Sequence, residues 1–158
     1  MSQYYAGIDL GGTNIKIGLL NEGGQIIAQD DEPTCVERGP DSVVERAVRR
    51  LEQLIQKTGL ARGGLRAGGI CSPGPLLLEE GKIIRACNLP GFDQFNFRAK
   101  FSRALNLPMV MEHDAAAACW GEYWCGAGQG VKNIVLFTLG TGIGGGVIYG
   151  GEVFRAGG

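Results

Sequence analysis

Residues 9–20, DLGGTNIKIGLL, place a Gly-Gly turn between two stretches in which apolar residues alternate with others. Residues 4–10 and 14–20 therefore predict two strands, and residues 25–29 predict a third after a turn at 21–24. Short glycine-bearing turns between consecutive strands are typical of an antiparallel meander. The chain thus begins with a predicted β-sheet.

Helical patterns follow this sheet and alternate with further strands, which predicts an α/β fold. Residues 41–57 form the clearest predicted helix, with Ser42 and Glu45 as a capping box and Gly59 as the residue that ends it. The other predicted helices are residues 97–105 and 115–124; the other predicted strands are residues 65–71, 82–86, 108–112, 133–139 and 147–149; a loop is predicted at 72–75 and a tight turn at 140–146.

Glycine is the unusual component of the composition. It provides 28 of 158 residues, whereas glycine makes up about 7% of ordinary proteins. Clusters of glycine indicate places where the backbone closely approaches another group. The cluster at residues 126–130 predicts a domain boundary. Residues 1–125 would form a complete α/β lobe, and residues 126–158 would begin a second lobe with a hairpin that no encoded helix covers.

Composition excludes several classes of protein. The formal net charge of −1 provides no basic surface for nucleic acid. No apolar run approaches the roughly 18 residues of a membrane span, and the N-terminus lacks the pattern of a secretory signal, so we expect a cytoplasmic protein. Five cysteines without a C-x₂-C spacing and one histidine argue against a zinc site within these residues.

The turn at residues 11–14 is the first candidate site. Gly11 and Gly12 at a hairpin tip let backbone N–H groups approach an anion, and Thr13 and Asn14 add side-chain donors.

Asp9 and Lys16 flank this turn. Asp9 at the strand end is suited to a hydrated Mg²⁺, and Lys16 lies on the same side of the second strand as Asn14. The alternative is an ordinary hairpin with a solvated lysine.

The second candidate is TLGTGIGGG at residues 138–146. Gly140, Gly142 and Gly145 satisfy G-x-G-x-x-G, but the strand-like VIYGGEVF that follows does not fit a dinucleotide-binding motif, which needs a helix there. The remaining interpretations are a second phosphate-binding hairpin and a purely structural glycine hairpin.

Four further candidate residues lie where a strand ends or within a proline-containing loop. Asp114, between a strand and a helix, is suited to be an N-cap or a general base. The neighbouring His113 is the only histidine, and a structural role is its simpler interpretation. The loops SPGP (72–75) and NLPGF (88–92) either present Gly74 and Asn88 to a ligand or provide turn geometry alone.

Taken together, DLGGTNIKIGLL, SPGP, NLPGF, EHDAAAACWGE and TLGTGIGGGVI resemble, in order and spacing, the ROK family of sugar kinases and repressors. The family has the actin-like, ribonuclease-H-like ATPase fold, in which two α/β lobes enclose a cleft. The resemblance implies that Asp114 is the catalytic base and that Gly74, Asn88 and His113 contact the sugar. It implies that ATP is bound by residues of both hairpins: Asp9, Gly11, Gly12, Thr13, Asn14, Lys16, Gly140, Thr141, Gly142 and Gly144.

The chain departs from the family pattern in two ways. His113 stands where members most often have asparagine, which leaves the sugar preference open. The family's A-G-E-x-G-H segment and its cysteine-rich zinc motif are not in these 158 residues. The resemblance therefore implies the N-terminal half of a kinase, with the first lobe complete, the second only begun, and a structural Zn²⁺ expected only beyond residue 158.

The implied reaction is phosphoryl transfer from MgATP to a hexose, with glucose at its 6-position suggested by NLPGF, as in glycolysis. Another hexose or an N-acetylhexosamine is the alternative substrate. A non-catalytic half-kinase and a sugar-sensing regulator are the alternatives of another class. The 158-residue chain alone is expected to be inactive, and the full-length form is expected to be a homodimer.

Overall fold

The computed structural model describes residues 3–85, 88–140 and 142–155. The described residues form two compact units, which divide between Glu112 and His113. A domain boundary at residues 126–130 would place the helix that follows His113 in the first lobe. In the structure this helix belongs to the second unit. No helix among the described residues has the length and apolarity that crossing a membrane requires.

The first unit contains a five-stranded sheet, a short hairpin and two helices, with one-turn 3₁₀ helices at Val36–Arg38 and Arg62–Gly64. Its strands are β1 (Tyr4–Leu10), β2 (Asn14–Asn21), β3 (Ile26–Pro33), β4 (Leu65–Ser72), β5 (Leu76–Leu77), β6 (Lys82–Ile83) and β7 (Met109–His113, whose last residue opens the second unit); its helices are α1 (Gly39–Thr58) and α2 (Phe97–Leu105).

The predicted meander is confirmed. The strand order is β3-β2-β1-β4-β7, with β1 antiparallel to β2 and parallel to β4. Alternate residues of β1 and β2 face a core that helices α1 and α2 complete. The largest fully buried side chains of this core include Phe92, Phe97, Phe101, Leu10, Ile17 and Leu51.

Two local predictions in this unit are wrong. Helix α1 begins at Gly39 and its N-cap residue, Arg38, makes no side-chain capping bond, so Ser42 and Glu45 do not form a capping box. Pro40 in the first turn explains the earlier start, because its fixed φ suits the first helical positions. The strand predicted at 82–86 is only the two-residue β6; its predicted end, Ala86, lies outside the described residues, as does Cys87.

The second unit contains one helix and a three-stranded sheet in the order β10-β9-β8. Its elements are α3 (Asp114–Cys125), β8 (Ile134–Leu139), β9 (Ile143–Tyr149) and β10 (Glu152–Val153). The glycine-rich segment 126–130 is a turn at the end of α3, where Gly126 and Gly128 both donate N–H groups to the Glu122 carbonyl. It therefore lies inside a compact unit.

The hairpin of β8 and β9 is covered on one face, contrary to the prediction. Helix α3 packs against both strands, and Ala115, Cys119 and Ile148 are buried there. β9 starts at Ile143, inside the predicted turn 140–146, since Gly144 and Gly146 leave room for the helix. The opposite face, here called the open face, carries the exposed side chains of Val135, Phe137, Leu139, Ile143 and Tyr149.

Candidate functional site

The turn between β1 and β2 is closed by its own backbone. The Gly11 N–H donates to the Asn14 carbonyl at 3.1 Å. A Cβ atom on Gly11 would lie 2.7 Å from that carbonyl oxygen, so glycine is required there by space. Thr13 and Asn14 are exposed at the tip, where their side chains are available to a ligand.

Asn88 lies against this turn. A Cβ atom on Gly12 would lie 2.7 Å from the Asn88 carbonyl oxygen and 3.0 Å from its Nδ2. Asn88 is exposed, while Leu89 and Phe92 of the same loop are buried in the core and fix the loop in place. The first unit thus brings together two of the predicted site segments, residues 11–14 and Asn88.

Polar side chains surround the end of β1. Asp9 is half-buried, and its Oδ1 accepts a hydrogen bond from the Cys71 thiol at 3.5 Å, across the β1–β4 pair. Lys16 lies opposite Asp9 in the register of β1 and β2. Asn14 donates to Asp31 Oδ2 at 3.3 Å. Asp9 and Lys16 form no ion pair with any described residue, so the carboxylate and the ammonium group are both available.

The loop at residues 72–75 has the conformation that its sequence predicts. Gly74 has a φ of 92°, which side-chain-bearing residues rarely adopt. Ser72 is fully buried, and its hydroxyl donates to the Pro73 carbonyl at 3.2 Å. The loop is therefore fixed, although turn geometry alone accounts for its glycine.

Asp114 begins α3, so the predicted N-cap role is not the observed one. The N-cap residue is His113, and Asp114 Oδ1 accepts the Ala115 N–H at 2.7 Å. The same oxygen lies 3.0 Å from Nδ1 of His113, and both side chains are 43% exposed. The carboxylate is thus oriented by two nitrogens and remains open to solvent, which suits a group that exchanges a proton with a substrate.

The glycines of the β8–β9 turn fall into two groups. Among the described residues, and apart from the chain neighbours, no atom lies within 4 Å of a Cβ atom on Gly140 or Gly142, and the Gly140 N–H donates to the Gly142 carbonyl at 3.0 Å. A Cβ atom on Gly144 would lie 2.5 Å from Thr138 Oγ1 and 3.1 Å from Ala115 Cβ. Gly144 therefore has a packing role that requires no ligand. Thr141 lies outside the described residues.

Sequence reasoning assigned no role to Thr34, which contacts the first turn directly. Its hydroxyl donates to the Gly11 carbonyl at 2.6 Å, and its N–H donates to the Thr13 carbonyl at 2.7 Å. Thr34 lies just after an edge strand and 21 residues beyond Thr13. This separation matches no recognisable sequence motif. Only the pairing of β3 with β2 reveals the contact.

Metal-binding geometry is absent from the described ranges. Within residues 3–85, 88–140 and 142–155, no group of three or more His, Cys, Asp or Glu side chains is placed to hold a metal ion. No disulfide joins the described cysteines.

Known proteins match this chain over more than nine-tenths of its length. A glucokinase from Halalkalibacterium halodurans is 33% identical over 97% of the chain and 46% of its own length, and an N-acetylmannosamine kinase from Escherichia coli is 31% identical over 92% and 47%. The chain therefore spans about half the length of the curated relatives it matches.

Solved structures agree with this fold. A ROK hexokinase from Thermus thermophilus superposes with a TM-score of 0.85 at 35% identity, over 98% of this chain and 49% of that one. A ROK family glucokinase from Streptomyces griseus, in complex with glucose and AMPPNP, gives a TM-score of 0.77 at 32% identity, over 99% and 47%. These neighbours have the actin-like ATPase fold. The model of the ROK family matches residues 5–158, and the chain belongs to this family.

Proposed function

We propose that the protein of which this chain forms part transfers a phosphoryl group from ATP to a hexose, with glucose as the substrate and its 6-hydroxyl as the acceptor. The observation that carries the proposal is the contact between the glycine turn at residues 11–14 and Asn88. A phosphate-binding turn placed beside a sugar-binding amide is the arrangement that phosphoryl transfer needs, because this reaction depends mainly on positioning and charge stabilisation.

Each residue has a role in this proposal. The N–H groups of residues 11–14, Lys16 and the open turn at Gly140 and Gly142 bind the phosphates, together with Thr141. Asn88, His113 and the backbone at Gly74 hold the sugar, and Asp114 removes the proton of the attacking hydroxyl. The orientation of the Asp114 carboxylate by Ala115 N–H and His113 supports this role.

The donor set at the end of β1 fits a magnesium ion that accompanies ATP. Asp9 supplies a carboxylate without an ion-pair partner in the described part of the chain, and Mg²⁺ is usually held by one or two carboxylates together with phosphate oxygens. When bound, the ion would neutralise charge on the phosphates. The relative that was solved with glucose and AMPPNP supports ATP as the donor.

The substrate test uses the full-length protein with glucose, mannose, N-acetylglucosamine and N-acetylmannosamine. We expect the highest kcat/KM for glucose, and ³¹P NMR should place the phosphate on the 6-oxygen. The N-acetylmannosamine kinase among the relatives makes the acetylated sugars the second candidate. Absence of phosphorylation of every sugar would overturn the proposed function.

The test of the base is Asp114→Asn, with Glu45→Gln on the exposed side of α1 as the matched control. Asparagine keeps an oxygen that accepts the Ala115 N–H but cannot take a proton. We expect kcat to fall about 10²-fold or more, with Tm nearly unchanged in both variants. Normal turnover by the asparagine variant would eliminate the base assignment and leave the kinase itself intact.

We also propose that residues 1–158 alone lack kinase activity, because the relatives are about twice as long. The full-length protein is proposed to be a cytoplasmic homodimer, and its structural Zn²⁺ is proposed to lie beyond residue 158. Sustained glucose phosphorylation by the 158-residue chain in a coupled assay would contradict the first of these proposals.

A further inference from the structure

Thr34 connects the first glycine turn to the rest of its unit. It is fully buried just after β3 and donates both its hydroxyl and its N–H to carbonyls of the turn, at Gly11 and Thr13. A fully buried hydroxyl with one short hydrogen bond to backbone contributes to the position of that backbone as well as to stability.

The two carbonyls determine where the neighbouring N–H groups point. In a trans peptide the C=O of one residue and the N–H of the next lie in one plane and point in opposite directions, and no described peptide is cis. With the Gly11 carbonyl directed at Thr34, the Gly12 N–H is directed away from it. The Thr13 carbonyl orients the Asn14 N–H in the same way. Thr34 thereby orients two of the donors proposed to bind phosphate.

Arg46 of α1 fixes Thr34 in turn. Its guanidinium donates to the Pro33 carbonyl at 2.8 Å and to the Thr34 carbonyl. Its side chain is 12% exposed and lies 3.3 Å from Glu32 Oε1, although that pair lacks hydrogen-bond geometry. Arg50 binds the other Glu32 oxygen at 3.1 Å. The end of β3 is therefore attached to α1 through several polar contacts.

We propose that Thr34, held by Arg46, is a positioning residue for nucleotide binding: its hydroxyl fixes the Gly11 carbonyl so that the N–H groups of the turn face the phosphates of ATP. This inference rests on the proposed kinase function, because it names the ligand that the turn binds. It assigns Thr34 no contact with substrate.

The test compares Thr34→Val, which removes the hydroxyl at nearly constant shape, with Thr34→Ser, which keeps it. In the full-length protein we expect Thr34→Val to raise the KM for ATP about 3- to 10-fold, with the KM for glucose changed less than about 2-fold. Thr34→Ser should keep the KM for ATP near the wild-type value. The matched control is Thr58→Val, which removes a hydroxyl bonded to the Leu54 and Ile55 carbonyls and should lower Tm alone.

An unchanged KM for ATP in Thr34→Val would overturn the inference, and so would a serine variant as impaired as the valine variant. If the valine variant fails to fold, Arg46→Lys takes its place. Lysine keeps the positive charge beside Glu32 but lacks the guanidinium that donates to both the Pro33 and the Thr34 carbonyls. We expect this variant to raise the KM for ATP as well, and an unchanged value would overturn the inference.

A second measurement separates this inference from the kinase function. In the 158-residue chain, amide hydrogen exchange at Gly11, whose N–H donates to the Asn14 carbonyl within the turn, should accelerate about 10-fold in Thr34→Val relative to Thr34→Ser. Acceleration without any kinase activity in the full-length protein would support the role of the Thr34 hydroxyl in fixing the turn and overturn the proposed function. Equal exchange in both variants would show that this hydroxyl does not fix the turn and would overturn the inference.

Discussion

The turn between β1 and β2 is held by Thr34 and touches Asn88, whereas the turn between β8 and β9 has open space around Gly140 and Gly142. The same difference extends to the surrounding units. The first sheet packs against α1, and α2 packs against α1 to complete a core of large side chains, whereas α3 is the one helix that packs against the second sheet among the described residues. Two hairpins that look alike in sequence thus differ in how far their own unit fixes them.

The first prediction compares a fully buried phenylalanine with an exposed one. Phe97 is fully buried, with its ring centroid 4.6 Å from that of Phe95 and 5.6 Å from that of Phe92, while Phe137 on the open face is 71% exposed. Phe97→Ala should lower the unfolding free energy of the first unit by about 3–5 kcal/mol. Phe137→Ala should change stability by less than about 0.5 kcal/mol. Urea unfolding followed by far-UV circular dichroism measures both.

A large loss of unfolding free energy in Phe137→Ala of the 158-residue chain would contradict the exposure of Phe137 on the open face. In the full-length protein the same substitution should cost more if a further segment covers this face, so comparison of the two lengths sharpens the contrast.

The second prediction compares glycines of the two turns. Gly12→Ala places a Cβ atom 2.7 Å from the Asn88 carbonyl oxygen, whereas the Cβ atom of Gly140→Ala meets no described residue within 4 Å apart from its chain neighbours. The first change should destabilise the chain by about 1–3 kcal/mol through overpacking. The second should be neutral or stabilising by up to about 1 kcal/mol. Thermal melts provide the measurement, and equal shifts in Tm would refute the difference between the turns.

Gly12 also illustrates why one substitution at this turn would not separate the proposed nucleotide binding from the proposed sugar binding. A side chain at Gly12 would displace Asn88, so it should weaken the affinity for both proposed ligands. Gly140→Ala is the substitution expected to leave Asn88 in place.

The third prediction tests the cover that α3 provides. A Cβ atom on Gly146 would lie 2.5 Å from Cys119 Cβ, while one on the adjacent Gly145 would be 3.6 Å from its nearest neighbour. Gly146→Ala should therefore lower the stability of the second unit by about 1–3 kcal/mol, and Gly145→Ala should not. Both tryptophans, Trp120 and Trp124, lie in α3, so tryptophan fluorescence reports this unit. Equal effects of the two substitutions would rule out the close packing.

The fourth and smallest prediction concerns pH. Burial raises the pKa of the Cys119 thiol above its ordinary value. The folded unit then keeps a proton that the unfolded chain loses above about pH 8.5, so unfolding releases a proton and stability falls as the pH rises. The slope contributed by this thiol cannot exceed about 1.4 kcal/mol per pH unit.

The measurement is the unfolding free energy from tryptophan fluorescence at pH 7.5 and 9.5. The pH-dependent loss should shrink in Cys119→Ala and persist in Cys125→Ser, where the exposed thiol is replaced. Identical pH dependence in the wild type and Cys119→Ala would argue against a buried thiol.

Sequence patterns predicted the regular elements well, for a physical reason. Residues 4–10 and 97–105 coincide with β1 and α2 because alternation and helical periodicity report which face is buried. The start of α1 was misplaced, since Pro40 was a stronger start signal than the capping box at Ser42. Nothing local to residues 140–146 reveals that Gly144 and Gly146 accommodate a helix, because the contact is with α3.

The candidate site divides in the same way. The glycine turn at residues 11–14 and the rigid NLPGF loop are local in sequence and were predictable from residue type. The contact between Gly12 and Asn88 and the role of Thr34 depend on tertiary structure, and no spacing in the chain encodes them.

The most direct test of the difference between the hairpins is amide hydrogen exchange on the 158-residue chain. Amides at the centre of β1 and β2, such as Ile8 and Ile17, should exchange only through unfolding of the whole first unit. Amides that are hydrogen-bonded between β8 and β9 should exchange at least about 10²-fold faster, because a three-stranded sheet packed on one helix opens at lower free energy than the larger first unit. Equal protection of both hairpins would contradict the account.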